Sequence, residues 1–576
     1  MGPSPLIENI GIRWTRTYRR SRGIGSFSDR KREAMKNLGK PMRGGVIRVV
    51  GQAPDVDYMD PQRAYFTFSW QLMRCICRTL MTYPGKPAPE GCVPVPDIAE
   101  AEPEVSSDGR TFTFKLRRGV RYGAPLNREV EAGDFKLAFE RALDPELHSA
   151  PGQYFLDIEG SDAIRNGTAT TLSGVETPSP QTLIVHLRRP INDFVNIMAL
   201  TATVPAPPEI VNSHSKFDYG KHLVPTGPYL IAEHIPGQLV RLARNPAWDR
   251  ATDPVRGAYI DGLEIQMGCR REDVVQRVES NESDMSCFLH PDHDDFNRYR
   301  ERPEIGDRFF SDPTGCMRYI ALDCSAGPTR DIRVRQAINY AVNKEAFAVV
   351  RGGAVGGNIA GNILPPTING HRPFDLYPSP GHRGDPDRAR QLLAEAGYPD
   401  GLRTWGLVAD ASFHPKLGEL LAEALGKAGI ELELKTVTVD SYYKDYMNRT
   451  DVHIPIGVSN GWCKDWPGNG ARSCLATLFH SSSLDNPETT NFCRLRDPEL
   501  DQMIDKAVIS RPDEADELWA QADRHIMEQA ACVPWLHDNH LAMTSERVRN
   551  YFSHAFLVGP DWTNVWLVDG TPVDGG

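Results

Sequence analysis

The chain has 576 residues, 40% of them apolar and 24% charged, which is the composition of a globular protein with room for two to four domains. No run of about 18 apolar residues occurs, which excludes a transmembrane helix. The net charge of −11 is unevenly spread: residues 1–43 hold eleven Lys and Arg against three acidic residues, leaving −19 on the remainder. A basic arm without interleaved aromatics on an acidic body argues against nucleic acid as a partner.

The arm, residues 1–43, reads as a disordered, solvated tail. Arg19 and Arg20 are not followed by the 7 to 15 apolar residues that an export signal needs, and no short apolar run ends in a lipid-bearing cysteine. The expectation from this stretch is a chain with no export route of its own. GGVIRVVGQAP is the first predicted strand, bounded by Gly and Pro. LMRCICRTL reads as an apolar, strand-like run whose Cys75 and Cys77 are buried thiols. TFTFKLRRGVRY (111–122) and QTLIVHLRRP (181–190) alternate apolar and polar residues as half-buried strands do. Between them, EAGDFKLAFERALDP places Phe135, Ala138, Phe139, Ala142 and Leu143 on one helical face and stops at Asp144-Pro145.

The second half shifts toward helix. HPDHDD (290–295) gathers residue types that ligate metals, and a solvated acidic loop explains it equally well. VRQAINYAVNKEAFAVV, PDRARQLLAEAGYPDG and HPKLGELLAEALGKAGIELELKTVTV each carry a 3.6-residue apolar period, the last two closed by Gly. GGAVGGNIAG (352–361) follows a helix and lacks GK[ST], so it is a loop and not a phosphate cradle. The runs DPELDQMIDKAV and DEADELWAQADRHIMEQA predict two more helices before a final strand in VPWLHDNHLAM. Strands early and helices packed beside strands late make this an α/β chain.

GWCKDWPGNG (461–470) is the stretch richest in chemistry. Asp465 stands between Trp462 and Trp466, which can remove water from one wall of a site, and a carboxylate in such surroundings attracts an ammonium more strongly than in water. The competing reading is that Asp465 caps the Pro-Gly-Asn-Gly turn. Cys463, Cys474 and Cys493 fall within 31 residues, and one disulfide among them is expected in an oxidising compartment. No CxxC, HExxH or GxSxG spacing appears, so neither zinc nor a nucleophilic hydrolase is indicated.

Seven segments taken together resemble the extracytoplasmic solute-binding proteins of ABC importers, family 5, the group of oligopeptide and dipeptide binders. They are GGVIRVV; LMTYPG with VPDIAEAEPEVSSDGRTFTFKLRRGVRY; EAGDFKLAFERALDP; PTGPYLIAEHIPGQLVRLARNPAW; VRQAINYAVNKEAF; PDRARQLLAEAGYPDG; and NFCRLRDPELDQMIDKA. The resemblance implies a two-lobe periplasmic-binding-protein-like clamshell with mixed sheets flanked by helices, and a ligand enclosed between the lobes. It implies three domains after the arm: a discontinuous one near 44–66, 210–312 and 532–576, an inserted β-rich one at 67–209, and a helix-rich lobe at 313–531.

By the same resemblance, Asp465 binds the α-ammonium of a peptide. Trp462 and Trp466, with Cys463 beside them, wall the first side-chain pocket. Tyr65 and Phe66 are further wall candidates, against the alternative that they pack in the core. A monomeric, non-enzymatic binder is implied, without cofactor, handing peptides to an ABC permease from an extracytoplasmic location. That location and an arm without an export signal are opposed expectations. EAGDFKLAFE departs from the family's usual Thr-Ala-Glu-Asp opening, which changes a helix cap. No basic partner for a ligand carboxylate is identified; Lys464, Arg472 and Arg494 are merely near the motif. Two other functions fit the scaffold: an intracellular or pathway-associated protein that binds or acts on a peptide-like or amino-acid-derived metabolite in biosynthesis, and a nickel, haem or sugar binder.

Overall fold

The computed structural model describes residues 39–573 except 53–54, 290–294, 296–297, 299–301 and 486. Most of the arm, and HPDHDD apart from Asp295, therefore lie outside the described residues. Asp295 itself is buried and paired with Arg271 and Arg298. Among the described residues no helix is long and apolar enough to cross a membrane, and no group of three or more His, Cys, Asp or Glu is arranged to hold a metal ion.

Three sheets carry the architecture, which is α/β with mixed sheets flanked by helices. The first has five strands in the order Met285–Cys287, Val46–Gly51, Gly262–Gln266, Leu239–Arg244, Tyr229–Ile235. Val46–Gly51 lies parallel to both neighbours. Its residues from Ile47 onward are therefore buried or half-buried on both faces, as a central parallel strand requires. A four-stranded antiparallel sheet follows in the chain, built from Glu104–Val105, Thr111–Lys115, Thr182–His186 and Val175–Ser179.

The third sheet has six strands in the order Gly357–Ile359, Cys532–Met543, Phe309–Leu322, Ile456–Cys463, Leu402–Ala409, Ile430–Val437. Helices Ile332–Ala341, Pro386–Glu395 and His414–Lys427 cover one of its faces, placing Val334, Ile338, Leu392, Leu417 and Leu421 against Ile320, Val458 and Trp535. Two long strands, Phe309–Leu322 and Cys532–Met543, pair from Ala321 opposite Cys532 to Phe309 opposite Met543. Just beyond, Thr544 bridges to Met285 of the five-stranded sheet, so these strands lead from one sheet to the other. Their register shifts between Pro313 and Cys316, where Gly315 adopts a φ of +76° that side chains resist.

Several elements depart from the sequence reading. LMRCICRTL is mostly helix, Thr67–Ile76, because a short apolar run cannot by periodicity alone be told from a buried helical segment. Cys75 and Cys77 are nonetheless buried thiols, and burial pushes Cys77 up to about 12. The alternating runs shorten to Thr111–Lys115 and Thr182–His186. The single helix expected over 334–350 is two, broken where the Asn343 side chain accepts from the Ala346 N–H at 2.9 Å. Within the 352–361 loop, Gly357–Ile359 forms an edge strand against Cys532–Met543. The altered helix opening keeps its cap: Asp134 accepts from the Glu131 N–H at 2.9 Å in a capping box.

Candidate functional site

The strand Ile456–Cys463 runs antiparallel to Phe309–Leu322 and delivers the GWCKDW motif at its end. Cross-strand register sets Cys463 opposite Cys316, and the two form a disulfide that closes a 147-residue loop. This corrects the expected disulfide among Cys463, Cys474 and Cys493: only Cys463 of the three is bridged, and to Cys316. Cys474 and Cys493 are buried free thiols, Cys474 pushed up to about 12 by burial. Nearness in sequence could not reveal a partner brought in by strand pairing.

Past the strand, Asp465 is buried, and its N–H donates to Ser473 Oγ at 3.0 Å. Its carboxylate does not cap the following turn. It accepts hydrogen bonds from the Tyr65 hydroxyl at 2.8 Å and from the Tyr154 hydroxyl. Burial raises the Asp465 carboxyl to about 7, against the pull of the two tyrosine bonds and of Lys464. Such a group changes charge within the physiological range and is suited to pair with a cation. Tyr154 comes from the 3-10 turn Ala150–Phe155, and no signal in its local sequence points to Asp465.

The two tryptophans part company. Trp462 is half-buried, its indole N–H donating to Ser473 O at 2.9 Å and its ring tilted 6.2 Å from Tyr65. Trp466 is fully buried: it donates to Asn469 O at 2.7 Å and meets the Tyr154 ring edge-on at 4.8 Å. A cavity of about 270 Å³ is lined by Tyr65, Phe66, Trp462, Cys463, Lys464 and Asp465, among others, and Trp466 is not part of its wall. Phe66 is 59% exposed there, so of the two wall candidates it is not core, while Tyr65 offers its hydroxyl to the carboxylate. The structure thus brings together Asp465, Trp462, Cys463, Tyr65 and Phe66 around one cavity and sets Trp466 behind it as packing.

The bases near the motif are sorted as clearly. Arg472 is buried and paired with Asp157 at 2.7 Å and Asp193 at 3.1 Å. Arg494 donates to the carbonyls of Asn491, Met447 and Arg449. Lys464 is buried beside Asp465, and burial lowers its ammonium to about 8.

The profile of bacterial extracellular solute-binding proteins, family 5 Middle, matches residues 93–477. Heme-binding protein A of Haemophilus influenzae is 27% identical over 485 residues, 80% of this chain and 82% of that protein. Di/tripeptide-binding protein 3 of Pseudomonas aeruginosa is 25% identical over 491 residues, 81% and 84% of the two chains. Among solved structures, the clavulanic acid biosynthesis oligopeptide binding protein 2 superposes with a TM-score of 0.84 at 32% identity, covering 93% of this chain and 98% of that one.

Proposed function

We propose a function from one premise: the chain belongs to the bacterial extracellular solute-binding proteins, family 5. It captures peptides or peptide-like molecules between two lobes for ABC-type import, without chemical change to the ligand. Asp465 receives the α-ammonium, Trp462 and Phe66 flank the first residue, and Tyr65 and Tyr154 hold the carboxylate in place. The observation that carries this reading is a buried carboxylate on a cavity wall, hydrogen-bonded by two hydroxyls and paired with no cation within 4 Å among the described residues. A ligand ammonium completes it at far lower cost than water would, because both charges are then compensated in a low-dielectric site.

The lobes divide near 312 and 540, which face each other where the two long strands lead from the five-stranded to the six-stranded sheet, and closure hinges there. Delivery to a permease by a monomer outside the cytoplasm follows from the family. Similarity to a clavulanic acid biosynthesis protein favours, as second reading, a peptide-like metabolite of a biosynthetic route as the ligand.

The test is the Asp465→Asn variant, melted with and without a free-amine di- to pentapeptide library. Because a ligand bound only by the folded state raises Tm by mass action, the wild type gains stability with the library and the variant does not. The loss corresponds to about 2 to 5 kcal/mol of affinity, the range for removing one partner of a buried charge pair. Equal stabilisation of both proteins would contradict the assignment, as would a haem ligand, which has no ammonium to offer.

A further inference from the structure

Phe66 is a large apolar side chain left 59% exposed on the wall of the Asp465 cavity. A lone exposed apolar residue needs no explanation, but this one has company. Six of the twelve residues that line the cavity are aromatic: Tyr65, Phe66, Phe68, Trp70, Phe288 and Trp462. Phe68 and Trp70 are buried and serve as backing, Phe68 meeting Phe288 edge-on at 5.8 Å and Trp70 meeting Tyr65 edge-on at 5.9 Å. The other four rings keep accessible surface.

Two of those rings stand where another residue type would suit the backbone better. Phe66 occupies the N-cap of Thr67–Ile76, where Ser, Thr, Asp or Asn would satisfy a helix donor and Phe satisfies none. Phe288 has a φ of +51°, a left-handed conformation that bulky residues rarely adopt and that clusters at ligand sites. The aromatic wall is also fixed relative to the anchor: Asp57 Oδ2 accepts from the Tyr65 N–H at 2.7 Å and from the Phe66 N–H at 3.0 Å. Tyr65 is thereby held with its hydroxyl on Asp465 and Phe66 uncovered beside it. The charged groups of the wall add a second constraint. Asp465 and Asp55 are carboxylates, and Lys464 belongs to the wall although its ammonium has no accessible surface. An acidic ligand side chain would meet two carboxylates and no accessible cation among the lining residues.

We propose that Phe66, Phe288 and Trp462 form a selective subsite for an aromatic or other large apolar side chain on the ligand residue that bears the free α-amine. Such a side chain covers Phe66 and gains both apolar burial and ring contacts, whereas a small one leaves the wall wet and an acidic one is repelled. The inference rests on Asp465 as the ammonium anchor, which directs the first side chain into this cavity, and it narrows the ligand class from peptides at large to those with an aromatic or large apolar first residue.

The experiment is calorimetric titration of the full chain with four tripeptides that differ only in their first residue: phenylalanyl-, glycyl-, glutamyl- and arginyl-alanyl-alanine. Wild type, Phe66→Ala and Phe66→Tyr are compared. The wild type is expected to bind the phenylalanyl peptide about ten- to a hundredfold more tightly than the glycyl one, the fold-change that corresponds to burying one aromatic side chain, and the glutamyl peptide most weakly. Phe66→Ala is expected to cut the phenylalanyl-to-glycyl ratio by about three- to tenfold, the scale of one aromatic pair, while Phe66→Tyr keeps it. Both variants are expected to melt with the wild type, because the Phe66 side chain is exposed and makes no cap hydrogen bond. A wild-type ratio near one, a ratio that Phe66→Ala leaves unchanged, or tightest binding of the arginyl or glutamyl peptide overturns the subsite. Indiscriminate binding of all four removes the subsite alone, and binding of none removes the ammonium anchor with it. Should N-acetylation of the phenylalanyl peptide leave its affinity and its sensitivity to Phe66→Ala intact, the anchor fails and the aromatic subsite stands.

Discussion

At the scale of single residues, the account turns on one carboxyl group whose charge the fold opposes. Asp465 is raised to about 7 by burial, where an unfolded aspartate titrates near 4. Between those values the folded protein holds a proton that the unfolded chain does not. This group's contribution to stability is therefore greatest below about pH 4, falls as pH rises, and is lost above about 7. Ligand binding runs the other way: an ammonium needs the ionised form, so affinity for a free-amine ligand falls by up to about tenfold per unit as pH drops below 7. Calorimetry from pH 5.5 to 8 checks this, with Asp465→Asn expected to show a flat profile, and a pH-independent wild-type affinity would refute it. GWCKDW alone was enough to single out Asp465 and to leave cap and anchor as equal readings. What it could not contain is Tyr154, more than three hundred residues upstream, whose hydroxyl, with that of Tyr65, bonds the carboxylate in place of the turn. Nor could it separate Trp462 from Trp466, which look alike in sequence and differ only in which face of the chain end meets Ser473 or Tyr154.

At the scale of elements, the site is a strand end held by its neighbour. Cys316 and Cys463 tie Phe309–Leu322 to Ile456–Cys463 immediately before Asp465. Closing a loop of 147 residues restricts the unfolded chain by about 5 kcal/mol in the chain-entropy description. The double variant Cys316→Ser, Cys463→Ser should lower the denaturant midpoint accordingly and remove the sensitivity of that midpoint to reductant. A midpoint indifferent to reductant in the wild type would refute the role. Elements whose ends carry their own chemistry were legible in the sequence. Pro386–Glu395 begins where Asp385 accepts from the Arg388 N–H at 2.9 Å, and Gly397 follows it at φ +95°. Pro498–Ile509 begins at Asp497 in the same way. Elements decided by burial were not: Thr67–Ile76 has no capping side chain and nine of its ten residues are buried, so its apolar run gives no period to read. The disulfide belongs to the same class, because register between distant strands is a property of the sheet.

At the scale of the molecule, the segments that meet around Asp465 come from distant parts of the chain. Tyr65 and Tyr154 approach from the first third and the GWCKDW strand end from the last. The same junction is clasped by Arg472 on Asp157 and Asp193, and by the Asn192 side chain on the carbonyls of Ala507 and Ser510. Family resemblance anticipated an enclosed site between lobes; the composition shift from strand to helix anticipated only that two kinds of sheet region exist. The function argued here stands on an ammonium entering that junction. Its most direct test is a titration of the wild-type protein with one tripeptide in two forms, free and acetylated at the N-terminus, identical in every other atom. The account predicts that the free form binds at least about 30-fold more tightly, the low end of what a buried charge pair contributes. Equal affinity for the two forms would contradict it.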